Sequence, residues 1–241
     1  MKILVACEES QAVTIELRKL GHEAYSCDII ECSGGHPEWH IMQDVLQILN
    51  PGMQLQGLSH EYFGIKPFKT MDGLIHFIYG KWDMIIAHPP CTYMSNAGAC
   101  RMFPRKGQID PERFAKAMEA KSFFMAFYNA DCPRIAIENP VPLTVVGLPE
   151  KSQVIQPYEY GHPYTKKTYL WLKGLPNLKP TNVVKPVGPY VCGNAEIWKK
   201  QAREGVVYGK EKSAKHRSKT FYGWAKAMAE QFAGKAEEVT V

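Results

Sequence analysis

Two short stretches of this 241-residue chain carry side chains whose types and spacing could do covalent chemistry. In the first, the apolar run K-W-D-M-I-I-A (81–87) leads into His88, Pro89, Pro90 and Cys91. Two prolines fix the backbone ahead of a thiol, which suits a rigidly held nucleophile. Such a thiol acts once its pKa is lowered or a neighbour takes its proton. In the second, P-R-I-A-I-E (133–138) ends an apolar run on Glu138, with Asn139 next. A carboxylate ending a buried strand is costly unless it is paired or used. A third signal is Asp28, which closes the run 23–29. An acid at the end of the second strand of a Rossmann-like sheet can accept hydrogen bonds from a ribose. Taken singly, each residue has a plainer explanation, a structural cysteine or a loop-starting aspartate. Their chemistry depends on what brings them together.

The elements that must position them alternate. Residues 2–8 read as a buried parallel strand, followed by a helix capped by Ser10 in which Val13, Leu17 and Leu20 share a face and Gly21 is the terminator. Strands follow at 23–29, 81–87 and 133–138, and Asp110-Pro111 opens a helix through about Asn129. Later strands are expected at 154–160 and 168–172, and an amphipathic helix at 222–232 closes the pattern. Strand-helix alternation predicts an α/β fold with a mainly parallel sheet, in which ligands bind beyond the carboxyl ends of the strands. Asp28, the segment 88–91 and Glu138-Asn139 all fall at such ends.

Charge is unevenly placed. Residues 176–220 hold ten Lys or Arg against three Glu, a local +7, whereas the rest of the chain sums to −2. A neutral body with one basic segment suits a polyanion such as nucleic acid, or simply a solvated loop. The expected division is a catalytic domain at 1–173 plus 218–241 with a small basic insert at 174–217. Seven cysteines, with no C-x-x-C pair, give no support to a zinc ribbon, and no metal is expected. No apolar run approaches the ~18 residues of a membrane span, and the first residues do not read as a signal peptide. A cytoplasmic monomer is expected.

The chain resembles the DNA cytosine-5 methyltransferases, most of all the short members found in phage genomes. D-M-I-I-A-H-P-P-C-T-Y-M-S (83–95) is similar to that family's catalytic Pro-Cys motif, with Ser95 four residues after Cys91. R-I-A-I-E-N-P (134–140) is similar to its Glu-Asn-Val strand. Asp28 resembles the ribose-binding acid, and Asp44 in H-I-M-Q-D-V (40–45) the aspartate that contacts adenine. T-K-K-T-Y-L-W-L-K-G (165–174) resembles the Gln-x-Arg-x-Arg strand, and 217–232 the closing helix beside the cofactor. The basic insert falls where the family carries its target-recognition domain.

The resemblance implies a Rossmann-like class I methyltransferase fold that moves a methyl group from S-adenosylmethionine to cytosine in DNA, with the base flipped out of the duplex. It implies catalytic roles for Cys91, Glu138, Asn139 and Lys167, the last holding Glu138 or a phosphate. A cofactor site would comprise Cys7, Glu8, Asp28, Ile29, Asp44 and Pro89. DNA contacts would come from Ser95, Thr165, Lys199, Lys200 and Arg203. Glu138, as an acid toward the ring nitrogen, is expected to have a raised pKa.

Departures from the pattern keep alternatives open. A-C-E-E-S-Q-A (6–12) replaces the Gly-rich first loop, Pro140 replaces valine, and His88 replaces a small residue. Thr165, Lys167 and Tyr169 stand for Gln, Arg and Arg. P-P-C-T-Y could be a distorted amino-methyltransferase motif, in which an aromatic residue stacks on the base. The altered first loop could also admit a different group donor, or mark a relative that binds DNA without turnover.

Overall fold

A computed structural model describes residues 1–50, 65–190 and 220–236. In chain order these contain β1 (Lys2–Ala6), α1 (Ala12–Lys19), β2 (Glu23–Asp28), β3 (His40–Met42), α2 (Leu46–Leu49), β4 (Ile65–Lys69), β5 (Ile75–Tyr79) and β6 (Met84–Ala87). Then follow α3 (Ala99–Met102), α4 (Pro111–Tyr128), β7 (Ile135–Pro140), β8 (Gln153–Ile155), β9 (Tyr164–Thr165), β10 (Thr168–Lys173), β11 (Gly188–Pro189) and α5 (Tyr222–Met228).

Seven strands form the central sheet in the order β3-β2-β1-β6-β7-β10-β8. The first five are mutually parallel, and β10 runs antiparallel to both β7 and β8. This is the 3-2-1-4-5-6 order of a doubly wound Rossmann-like sheet with one reversed strand inserted before the last. The reason is visible in the strands themselves. Residues 3–6 of β1 and 84–87 of β6 are fully buried apolar residues, as a sheet covered on both faces requires.

Strand alternation sends the side chains to two layers. Leu4, Ala6, Ile85, Ala87, Ile137 and Trp171 face α4, where Phe124 and Phe127 are buried. Ile3, Val5, Met84, Ile86, Ala136 and Leu170 face α1 and α5, against Val13, Leu17, Trp224 and Met228. The approach of α5 is close. A Cβ on Gly223 would lie 1.9 Å from the Tyr160 carbonyl oxygen, so only glycine fits there.

Several local expectations change. The strand expected at 154–160 is short, because Pro157 turns the chain into a 3₁₀ turn at Pro157–Glu159. The hairpin β4–β5 was not expected; its residues alternate weakly, and Ile65, Ile75, Phe77 and Tyr79 stay exposed. Asp110 caps α4 by accepting from the Arg113 N–H at 2.7 Å. Ser10 does not cap α1. The N-cap position is Gln11, in the left-handed region, and the cap comes from farther back in the chain.

Part of the stretch expected as an insert packs against the elements around the sheet. Leu178 is buried in the α1/α5 layer, β11 pairs with β9, and Gln231 exchanges two hydrogen bonds with the Lys179 backbone. Residues 191–219, which include most of the basic segment, lie outside the described residues. Among the described residues no helix is long and apolar enough to cross a membrane, and no group of three His, Cys, Asp or Glu side chains could hold a metal ion.

Candidate active site

The parallel strands β1, β6 and β7 end together, and their register dictates which side chains meet past the edge. Ala6 pairs with Ala87, and Ala87 with Ile137. One residue further on, His88 therefore lies beside Glu138, on the face that carries Ile86 and Ala136. His88 Nδ1 is 3.2 Å from Glu138 Oε2, and both side chains are about nine-tenths buried. The carboxylate can only accept here, so Nδ1 carries the hydrogen. Among the described residues Glu138 Oε1, His88 Nε2 and Asn139 Oδ1 have no hydrogen-bond partner.

Cys91 is half-buried on the loop after β6. That loop is fastened at both ends. Asn139 Nδ2 donates to the Pro89 carbonyl at 2.9 Å, and the Met94 and Ser95 N–H groups donate to the Cys91 carbonyl at 3.1 and 2.9 Å. Leu143 N–H donates to Met94 O, and Asn96 N–H to Val141 O, lacing the loop to the chain after β7. A thiol loop and a carboxylate on adjacent strand ends thus form one rigid unit. Ser95, expected to meet DNA, is buried and closes this turn.

The sequence pointed to Lys167 as the cation near Glu138, but the structure brings Lys166 there. Lys167 is exposed, 5.8 Å from the Tyr169 ring. Leu170 is directly opposite Glu138, so residues two and four earlier, Thr168 and Lys166, share its face. The Lys166 ammonium lies 5.6 and 5.8 Å from the rings of Phe221 and Trp224. Burial pushes the Glu138 carboxyl upward, but the hydrogen bond from His88 and the charges of Lys166 and His88 outweigh it and hold it below the ordinary range. The raised value expected from the sequence is therefore corrected, and the cause is two side chains, His88 and Lys166, drawn from distant parts of the chain. Thr165 is half-buried in β9, where its carbonyl accepts from the Tyr190 N–H at 2.9 Å. Lys199, Lys200 and Arg203 fall outside the described residues.

Where a Gly-rich loop would stand, residues 7–11 are bracketed by two non-glycine residues in the left-handed region, Cys7 and Gln11, each at φ 58°. The Glu8 side chain turns back to cap α1. Its carboxylate accepts from Val13 N–H at 2.6 Å, Thr14 N–H at 3.3 Å and the Thr14 hydroxyl at 2.7 Å. Burial nevertheless keeps the Glu8 carboxyl above its usual range, against the pull of His88 and these donors. The helix N-terminus that takes a pyrophosphate in dinucleotide-binding sheets is filled here by the protein's own anion. Gly34 seals the outside of the loop; a Cβ there would lie 2.6 Å from Gln11 Cβ.

Beyond the loop, Asp28 Oδ1 accepts from the N–H groups of Ile29 and Ile30 at 2.7 and 3.4 Å, and burial holds its carboxyl above the ordinary range despite them. Ile29 is three-quarters exposed. Asp44 accepts from Leu46 N–H at the start of α2. Burial pushes the Cys7 thiol far up, and the charges of Asp28 and Asp44 add to it. The strand ends thus form an acidic side, over β1 and β2, and a thiol-carboxylate side, over β6 and β7.

No protein-family model matches the chain, and no curated protein does. Among solved structures it is similar to a prophage-encoded E. coli protein provisionally assigned as a DNA modification methyltransferase, with a TM-score of 0.39 and 12% identity. The alignment covers 77% of this chain and 52% of that one, so this chain spans about half the other's length. The Rossmann-like assignment rests on the strand order and register of this chain itself.

Proposed function

We propose that this chain is a DNA methyltransferase that modifies cytosine at its five position, with Cys91 as a transient covalent nucleophile and S-adenosylmethionine as donor. The observation that carries the proposal is the Cys91 loop tied by Asn139, through the Pro89 carbonyl, to the end of β7 that carries Glu138, with one Glu138 oxygen left without a partner among the described residues. An amino-methyltransferase needs instead an aromatic residue free to stack on the base. The nearest candidate, Tyr93, carries the Arg113 guanidinium 5.1 Å and the Lys116 ammonium 5.9 Å from its ring centroid, which favours the cysteine reaction.

The residues present fit the proposed donor. Glu8 fills the position a pyrophosphate would take, and the neighbouring acids Asp28 and Asp44 suit a cationic sulfonium nucleoside without phosphates. Asp28 would accept from the ribose and Asp44 from the adenine, with Ile29, Pro89 and Cys7 as walls. When bound, S-adenosylmethionine supplies an electrophilic methyl group.

The chain's own side chains do the rest. Position five of cytosine is a poor nucleophile until the Cys91 thiolate adds to position six and turns the ring into an enamine. Because its carboxyl is held low, Glu138 would have to take up a proton from solvent as the base binds, and Oε1 would then give that hydrogen to ring nitrogen three as charge builds there. Asn139 holds the Pro89 carbonyl and with it the direction of approach. Water takes the five-position proton as Cys91 leaves as a thiolate, which restores the ring and ends the cycle. The target atoms are buried in a duplex, so the base must leave the stack.

Mass analysis of nucleosides from DNA incubated with the protein and S-adenosylmethionine tests the proposal. It should yield 5-methylcytosine; N-methylated bases would favour the amino-methyltransferase reading. Asp28→Ala and Asp44→Ala should each weaken donor binding by about 1–3 kcal/mol, roughly 5- to 150-fold, and leave DNA affinity alone. Unchanged donor affinity by calorimetry in both variants would contradict this placement.

A further inference from the structure

The reaction above leaves His88 without a task, yet it occupies the centre of the site. Its backbone N–H donates to Ala6 O, which sets it between the ends of β1 and β7. It interacts with Glu8 from the loop after β1 and with Glu138 from β7, which the Lys166 charge also reaches. Glu8 and Glu138 are both buried acids, and buried charges of one sign need partners of the other. Lys166 supplies a cation, and His88 supplies the hydrogen bond to Glu138.

We infer that His88 is a positioning residue for Glu138. Its Nδ1–H holds Oε2, which leaves Oε1 toward the base, and its charge stabilises the carboxylate formed when Glu138 acts as an acid. This inference rests on the cytosine reading. Glu138, held as a carboxylate without DNA, takes up a proton from solvent when the base binds; in the acid step that Oε1–H bond breaks as the ring nitrogen–hydrogen bond forms. The electron pair stays on the carboxylate, and His88 keeps its own proton throughout. The same proton returns to Glu138 when the Cys91 bond breaks. The arrangement also explains why a bulky, ionisable side chain occurs where the resembled family has a small one. A small residue would leave Glu138 free to turn either oxygen to the base.

Two substitutions separate geometry from charge. His88→Asn puts an amide N–H where Nδ1 stood and removes the charge; His88→Ala removes both. The Glu138 carboxyl is followed by carbon-13 NMR in the DNA-free protein, its signal assigned by loss in Glu138→Gln, and kcat and KM are measured against pH. The Glu138 midpoint should rise in both variants, and further in His88→Ala, which loses the hydrogen bond as well as the charge. The kcat of His88→Ala should fall about 10- to 100-fold. His88→Asn should recover much of that loss while keeping the shifted midpoint. An unmoved midpoint in both variants, with wild type active on cytosine, would overturn the inference alone. Wild type with no cytosine activity would remove the reading, and the role of His88 with it.

Discussion

DNA containing 5-fluorocytosine at the target site should leave this protein covalently attached through Cys91 when S-adenosylmethionine is present. Fluorine cannot depart as a proton, so the adduct that Cys91 forms at position six has no exit once position five is alkylated. The loop that carries the thiol is pinned by Asn139 to Pro89 and by the bond from Leu143 to Met94, so under this proposal the attack geometry would be set before DNA arrives. A denaturing gel should show a shifted band, and peptide mapping should place the DNA on 88–95. Cys91→Ala should give no band and lose turnover by on the order of 10⁴-fold or more, because no neighbouring group can replace a covalent nucleophile. The same band from Cys91→Ala, or none from wild type on a substrate it binds, would contradict the assignment.

The second large effect is expected at Glu138. Glu138→Gln is nearly isosteric, so His88 and Lys166 keep their neighbours and the fold should stand. The amide cannot give up a proton to the ring nitrogen as charge develops, and turnover should fall about 100- to 10,000-fold. The loss should appear in kcat rather than in DNA affinity, since the interaction matters most in the transition state. Activity within a few-fold of wild type would make Glu138 structural.

The strands that matter most were legible because they are apolar runs with nothing else to become. Residues 2–6, 84–87 and 135–137 are buried almost without exception, and the chemistry-bearing residues follow them directly. What the sequence could not supply was register. Lys166 and Lys167 are adjacent and identical, and only the pairing of Leu170 with Glu138 decides which shares its face. The direction of the Glu138 shift was hidden for the same reason. Burial alone argues for a raised value, and the two side chains that reverse it lie 50 residues back and 28 residues on in the chain. The α1 cap was missed because Ser10 is the conventional choice. Glu8 reaches past it only because Cys7 and Gln11 take up left-handed conformations that sequence patterns assign to glycine. The hairpin β4–β5 escaped notice because its exposed face carries Ile75, Phe77 and Tyr79, blurring the alternation that marks a half-buried strand.

The central claim, substitution at position five through Cys91, is tested most directly by isotope release. DNA labelled with tritium at position five of cytosine is incubated with the protein and S-adenosylmethionine carrying a carbon-14 methyl group. The account predicts that tritium appears in water in equal molar amount to the methyl gained by DNA, and that Cys91→Ala gives neither. Methyl transfer with the tritium retained would place the reaction at another atom of the base and contradict the account.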